Sequence, residues 1–185
     1  MATDGHLIKA TGGNRWTTFI WGGATLLLSL PFFAMRFTSE VNWTASDFVV
    51  MGIMLCVVCG AIELAVRFSG NWAYRGGVAA AILGAFLITW VNLAVGIVGS
   101  QDNPANLLFF AALIVGIAGT VAARFKARGM SLAMLATAAS VAIAFAIAVM
   151  GATDEPNVPH MRELGGTLVV AGPLLLSAWL FRRAA

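Results

Sequence analysis

Six long apolar runs, separated by short loops of alternating charge, are the feature that most restricts this chain. They lie near 17–35, 48–66, 77–99, 106–123, 131–150 and 165–181, and each has 17 to 23 residues. A helix needs about 20 apolar residues to cross the ~30 Å hydrocarbon layer of a bilayer. In lipid, only helices and closed barrels satisfy their own backbone polar groups. The runs therefore predict an all-α polytopic membrane helix bundle, six transmembrane helices in a single membrane domain over residues 1–185. Composition agrees. Of the 185 residues, 60% are hydrophobic and 10% charged, where a water-soluble domain carries about 25% charged residues. A soluble enzyme, a nucleic-acid binder and a secreted disulfide scaffold are excluded.

The loop charges set the threading. Lys9, Arg15, Arg67, Arg75, Arg124, Lys126, Arg128, Arg182 and Arg183 fall on one side, nine of the eleven basic residues, leaving Arg36 and Arg162 on the other. Glu40, Asp47, Asp102, Asp154, Glu155 and Glu163 fall with those two, six of the eight acids. Basic residues collect in cytoplasmic loops, so both termini are expected in the cytoplasm. A five-span threading would carry Arg182 and Arg183 outward and spoil the pattern. Although Lys9 and Arg15 precede the first run as in a signal peptide, that run is long for one and no A-x-A site follows Met35, so it is read as a retained span. Trp16, Trp72, Tyr74 and Trp179 mark the inner interface and Trp43 the outer one.

Two patterns bear on packing. Arg67-Phe68, Arg124-Phe125 and Phe181-Arg182 close alternate spans at 57-residue spacing. That hints at three repeated hairpins, although positive-inside threading generates much of the same pattern. In span five, Ala136, Ser140, Ala144 and Ala148 form a small-residue stripe every fourth position, which predicts a helix packed closely in the bundle centre.

Few polar groups enter the membrane. Glu63 lies toward the cytoplasmic edge, with Arg67 at i+4 in the orientation that favours an ion pair. The alternative for Glu63 is a proton or cation role. Asn92, in span three, falls in the outer half and does not share a site with Glu63; an interhelical hydrogen bond explains it without a ligand. Asn103-Pro104 reads as a helix start, Asn as N-cap and Pro at the first helical position. Thr44 to Asp47 fits a capping box opening span two. The remaining candidates gather at the outer end of span three: Trp90, Asn92, Asp102 and Asn106, joined there by Asp47 and Trp43. Trp90 and Asn92 are two apart and cannot share a helix face, so Asn92 is expected to face inward, because an amide facing lipid leaves polar atoms unpaired.

Other chemistry is disfavoured. His6 and His160 lie in a tail and a loop, so no haem is expected between helices and no Ser–His hydrolysis. Cys56 and Cys59 have redox-motif spacing but sit mid-membrane, where they read as two buried, inert thiols. The loop from Asp154 to Glu163 concentrates carboxylates and one imidazole, yet matches no recognised metal spacing. No cofactor and no catalytic residue is expected.

The stretches Val41-Asn42-Trp43-Thr44-Ala45-Ser46-Asp47-Phe48 and Trp90-Val91-Asn92-Leu93-Ala94-Val95-Gly96-Ile97-Val98-Gly99-Ser100, continuing through Asp102-Asn103-Pro104-Ala105-Asn106-Leu107, resemble a group of small bacterial integral-membrane proteins of unassigned activity. The resemblance implies a bacterial inner membrane and supplies no activity, cofactor or site residue.

Three function classes remain. A non-catalytic accessory or regulatory component, acting through partner helices or a second copy of itself, needs no special residue. A carrier or channel for a small solute or ion would use the outer-half pocket, with Pro31 and Pro173 as candidate helix breaks. A membrane enzyme is disfavoured by the missing intramembrane histidines.

Overall fold

A computed structural model describes residues 15–151 and 159–185, and its described residues form six α-helices. They are α1 (Arg15–Phe37), α2 (Ala45–Phe68), α3 (Trp72–Ala94), α4 (Asn106–Ala122), α5 (Ala127–Met150) and α6 (His160–Arg183). Five are long and apolar enough to cross a membrane; α4, with 17 residues, is the shorter one. Large apolar side chains cover the outside, among them Leu107, Ile117, Leu132 and Leu168, as a hydrocarbon solvent permits. Pro31 and Pro173 lie within α1 and α6, and both helices continue through them.

The chain forms two compact units, Met1–Cys59 and Gly60–Ala185, divided within α2. In the first, the Leu28 side chain reaches toward Gly52, and the Cys59 thiol lies 3.8 Å from the Ile20 carbonyl. Cys59 is buried, but Cys56 is exposed, which corrects the expectation of two buried thiols.

In the second unit α6 packs against both α3 and α5, and α5 packs against α4, while α3 and α4 barely meet. The four helices make an arc, α3–α6–α5–α4, left open between its ends. A repeat of three helical hairpins would pack α3 on α4 as tightly as α5 on α6, so the 57-residue spacing reflects threading and not repeated structure. Close approach is made through glycines. A methyl group at Gly84 would come within 2.8 Å of the Leu174 side chain, one at Gly116 within 2.8 Å of Thr137 and one at Gly119 within 2.8 Å of Ala133. Such small residues let helix backbones near one another where lipid offers no hydrophobic drive between helices. Hydroxyls add interhelical bonds: Ser177 donates to the Gly77 carbonyl at 2.7 Å and Ser131 to the Ala178 carbonyl at 2.8 Å.

Helix α5 is central, but not through the expected stripe. Ala144 and Ala148 are buried, Ser140 is half-buried and Ala136 is exposed; the packed face runs Ala133, Thr137, Val141, Ala144, Ala148. A strict fourth-residue stripe advances about 40° round the helix per step, so over three steps it drifts about 120° off one face.

Helix ends also shift from the apolar runs. Helix α3 begins at Trp72, five residues early, because the Asn71 side chain caps it by accepting from the Ala73 and Tyr74 amides. It ends at Ala94, five residues early, where Gly96 at φ +78° turns the chain and its amide donates back to the Val91 carbonyl, a left-handed helix stop. Helix α6 starts five residues before its run and includes Glu163.

Candidate functional site

The α3–α4 connection folds over one end of the arc, and two buried side chains hold it there. Asn106, the first residue of α4, is 5% exposed. Its Oδ1 accepts from the amides of Ile97 at 3.0 Å and Val98 at 3.1 Å, and its Nδ2 donates to the carbonyls of Val98 at 3.1 Å and Ser100 at 2.9 Å. An amide side chain has two donors and two lone pairs, so all of this one's capacity is spent on the loop. Glu163, from the first turn of α6, is 3% exposed. One carboxylate oxygen accepts from the Gly99 amide at 2.7 Å and the other lies 3.3 Å from Nδ1 of His160. Three successive loop amides, at 97, 98 and 99, thus point at acceptors from two helices. Glycines make this possible: Gly96 and Gly99 have positive φ, and a Cβ on Gly96 would sit 2.7 Å from the Asn106 amide nitrogen.

The loop is further tied by Asn103, whose Oδ1 accepts from the Ala105 amide, and by Gln101, whose Nε2 donates to the Leu93 carbonyl. The expected cap at Asn103, with Pro104 as the first residue of α4, is not made: the helix starts at Asn106 with Ala105 at the cap position, and Asn103 instead closes the turn before it. Asn92 faces inward, 4% exposed. Its Nδ2 bonds the Ile88 carbonyl of its own helix at 2.8 Å, so the expected interhelical bond is replaced by an intrahelical one. Asn92 Oδ1 and Thr167 Oγ1 are the buried side-chain atoms that no described residue partners.

The sequence-predicted residues divide as follows. Asn92 and Asn106 are buried at this end of the arc; Trp90 is half-buried on α3, and Asp102 is exposed at the loop tip. Asp47 belongs to the other unit, where its carboxylate accepts from the Thr44 amide at 2.7 Å and the Thr44 hydroxyl at 2.8 Å. That is the reach-back half of a capping box. Glu63 bonds Arg67 at 2.7 Å, the ion pair its spacing implied. Asp154 and Glu155 lie outside the described residues.

Glu163 and Thr167 were not among the candidates. Glu163 reads in sequence as a solvated loop acid, but Glu163, Thr167, Val170, Leu174, Ser177 and Phe181 recur at helical spacing and form the buried face of α6. Extending that face backward from Phe181 is the signal that finds it.

A second feature lies between α3 and α4. The open mouth of the arc leaves a cleft of about 880 Å³, walled by α3, α4 and the last turns of α2, with Met130, Met134, Thr137 and Leu174 as its buried floor. Leu64, Ile117, Val121 and Phe125 rim it and are exposed. At one end it is closed by the Tyr74 hydroxyl, which donates to the Phe125 carbonyl at 2.8 Å.

No known family, curated protein or solved structure matches the chain.

Proposed function

We propose that the chain is a six-span integral protein of a bacterial inner membrane, with both termini cytoplasmic, working as a non-catalytic accessory or regulatory component through partner helices. The observation that carries this reading is how its polar groups are spent. Asn106, Glu163, Asp47 and Glu63 each bond the protein itself, which leaves little side-chain chemistry for a reaction. What is offered outward is apolar helix. In α1, over Thr17–Phe37, no residue is buried, and Gly22 and Gly23 have open space where a side chain would stand. The mid-helix hydroxyls of Thr25 and Ser29 do not compete, since they bond carbonyls of their own helix. A small-residue, self-satisfied helix face suits close approach by another membrane helix.

The test is purification of the full chain from its native membranes in mild detergent, with Gly22→Trp as comparison. A stoichiometric membrane-protein partner that co-elutes with the unaltered chain and is lost from Gly22→Trp is expected. A monodisperse chain without a partner, together with solute-dependent flux in proteoliposomes, overturns the reading. A periplasm-active reporter fused after Ala185 is expected to be silent; activity there removes the six-span threading.

The carrier alternative has one observation in its favour, the unpartnered buried atoms Asn92 Oδ1 and Thr167 Oγ1. Asn92→Leu separates the two: a carrier loses flux while remaining abundant, whereas an accessory component keeps its partner.

A further inference from the structure

The cleft between α3 and α4 has a length and a lining that point to its occupant. Its lining residues on α3 run from Tyr74 to Thr89, about 22 Å of helix rise, more than the ~15 Å hydrocarbon depth of one leaflet. The cleft holds about 880 Å³ and is lined mostly by aliphatic side chains. An extended alkyl chain is about 5 Å wide at van der Waals contact, and two lying side by side match its length and its lining. Three of the four wall hydroxyls already donate within the protein. Thr89 and Thr137 bond carbonyls of their own helices, and Tyr74 is bonded to Phe125.

The end of the cleft adds a charge. Phe125, on its rim, stands between Arg124 and Lys126, with Arg128 following. All three cations are exposed, and none has an ion pair among the described residues. Of the other basic residues on that side, Arg67 is engaged with Glu63, Arg75 on the Val66 and Ser69 carbonyls, and Arg183 over the Trp179 ring at 3.9 Å, while Arg182 is exposed at the end of α6. The turn that carries the unpaired cations is set firmly. Arg124 and Phe125 hold left-handed conformations at φ 48° and 58°, which side-chain-bearing residues rarely adopt, and Tyr74 pins the Phe125 carbonyl from α3.

We propose that this cleft binds one anionic glycerophospholipid, its two acyl chains between α3 and α4 and its phosphate on Arg124, Lys126 and Arg128. The full chain in nanodiscs of equal phosphatidylglycerol and phosphatidylcholine, matched in acyl chains, tests it by native mass spectrometry of the lipid retained on release. One phosphatidylglycerol is expected. Replacing all three cations by Gln is expected to lower its preference over phosphatidylcholine about a hundredfold, at roughly fivefold per cation, with a lipid still retained. Ala81→Phe, which fills the cleft, is expected to lose both lipids with the cations intact. A phosphatidylglycerol carrying a photoreactive acyl chain, added to the unaltered protein, is expected to label Val78, Ala81 or Thr120. Equal retention of the two lipids by the unaltered chain overturns the proposal. So does undiminished retention in a folded Ala81→Phe, labelling confined to α1, or a protein helix crosslinked from Ala81.

Discussion

The two ends of the α3–α6 arc are built on opposite principles. At the loop end, polar side chains are buried and turned inward on backbone: Asn106 serves four loop groups and Glu163 serves a fifth. At the other end three cations stand exposed around a turn held by one hydroxyl from Tyr74. The difference separates what a polar residue does from where it sits. The buried polar residues stabilise the fold, and the ones displayed at the surface remain available to something outside it.

Substitutions can break or sharpen that contrast. Asn106→Leu should be the most damaging, because it strands the Ile97 and Val98 amides; at about 1–3 kcal/mol for each unsatisfied buried donor, the loss is about 2–6 kcal/mol, read by unfolding in mixed micelles. A loss below 1 kcal/mol would show that the loop is not held by this side chain. Gly96→Ala should follow at about 2–5 kcal/mol, combining a left-handed backbone with overpacking. Glu163→Ala should cost about 1–3 kcal/mol and Glu163→Gln distinctly less, since the amide oxygen still accepts from Gly99. If the Gln variant is as unstable as the Ala variant, the carboxylate's charge, and not its acceptor, holds the loop. The smallest effects belong to the opposite end, where Glu63→Gln and Lys126→Gln should each stay within about 0.5 kcal/mol of the parent. A Glu63→Gln protein with normal function also ends any proton-carrying role for that residue.

The helices, their chain order and the Glu63–Arg67 pair could be read from the sequence because each is set by local spacing: apolar run length, capping residues, an i+4 charge pair. Asn103-Pro104 marked a turn correctly but put the start of α4 two residues early, because the first helical position goes to Asn106. Glu163 was not legible, because its burial depends on α6 lying beside a loop 64 residues away, and an acid beside His160 and Arg162 has the composition of a solvated loop. The α5 stripe misled at Ala136 because identity at every fourth position was followed further than a 3.6-residue period allows. The cleft has no sequence signature at all. It exists because α3 and α4 fail to pack, and its aliphatic walls look in sequence like any other membrane helix.

Glu163 belongs to the last helix, and this gives the chain an order of assembly. When α3, the loop and α4 leave the ribosome, the Gly99 amide has no partner, and the one it needs is 64 residues downstream. At about 5–20 residues per second of synthesis, the wait is roughly 3–13 s. Until α6 is inserted, neither α3 nor α5 has its largest neighbour and the loop is fastened only by Asn106. The final helix is thus the piece that locks the unit, and a nascent chain stopped before it would display an unfinished loop and two bare helix faces to the cell's membrane quality control.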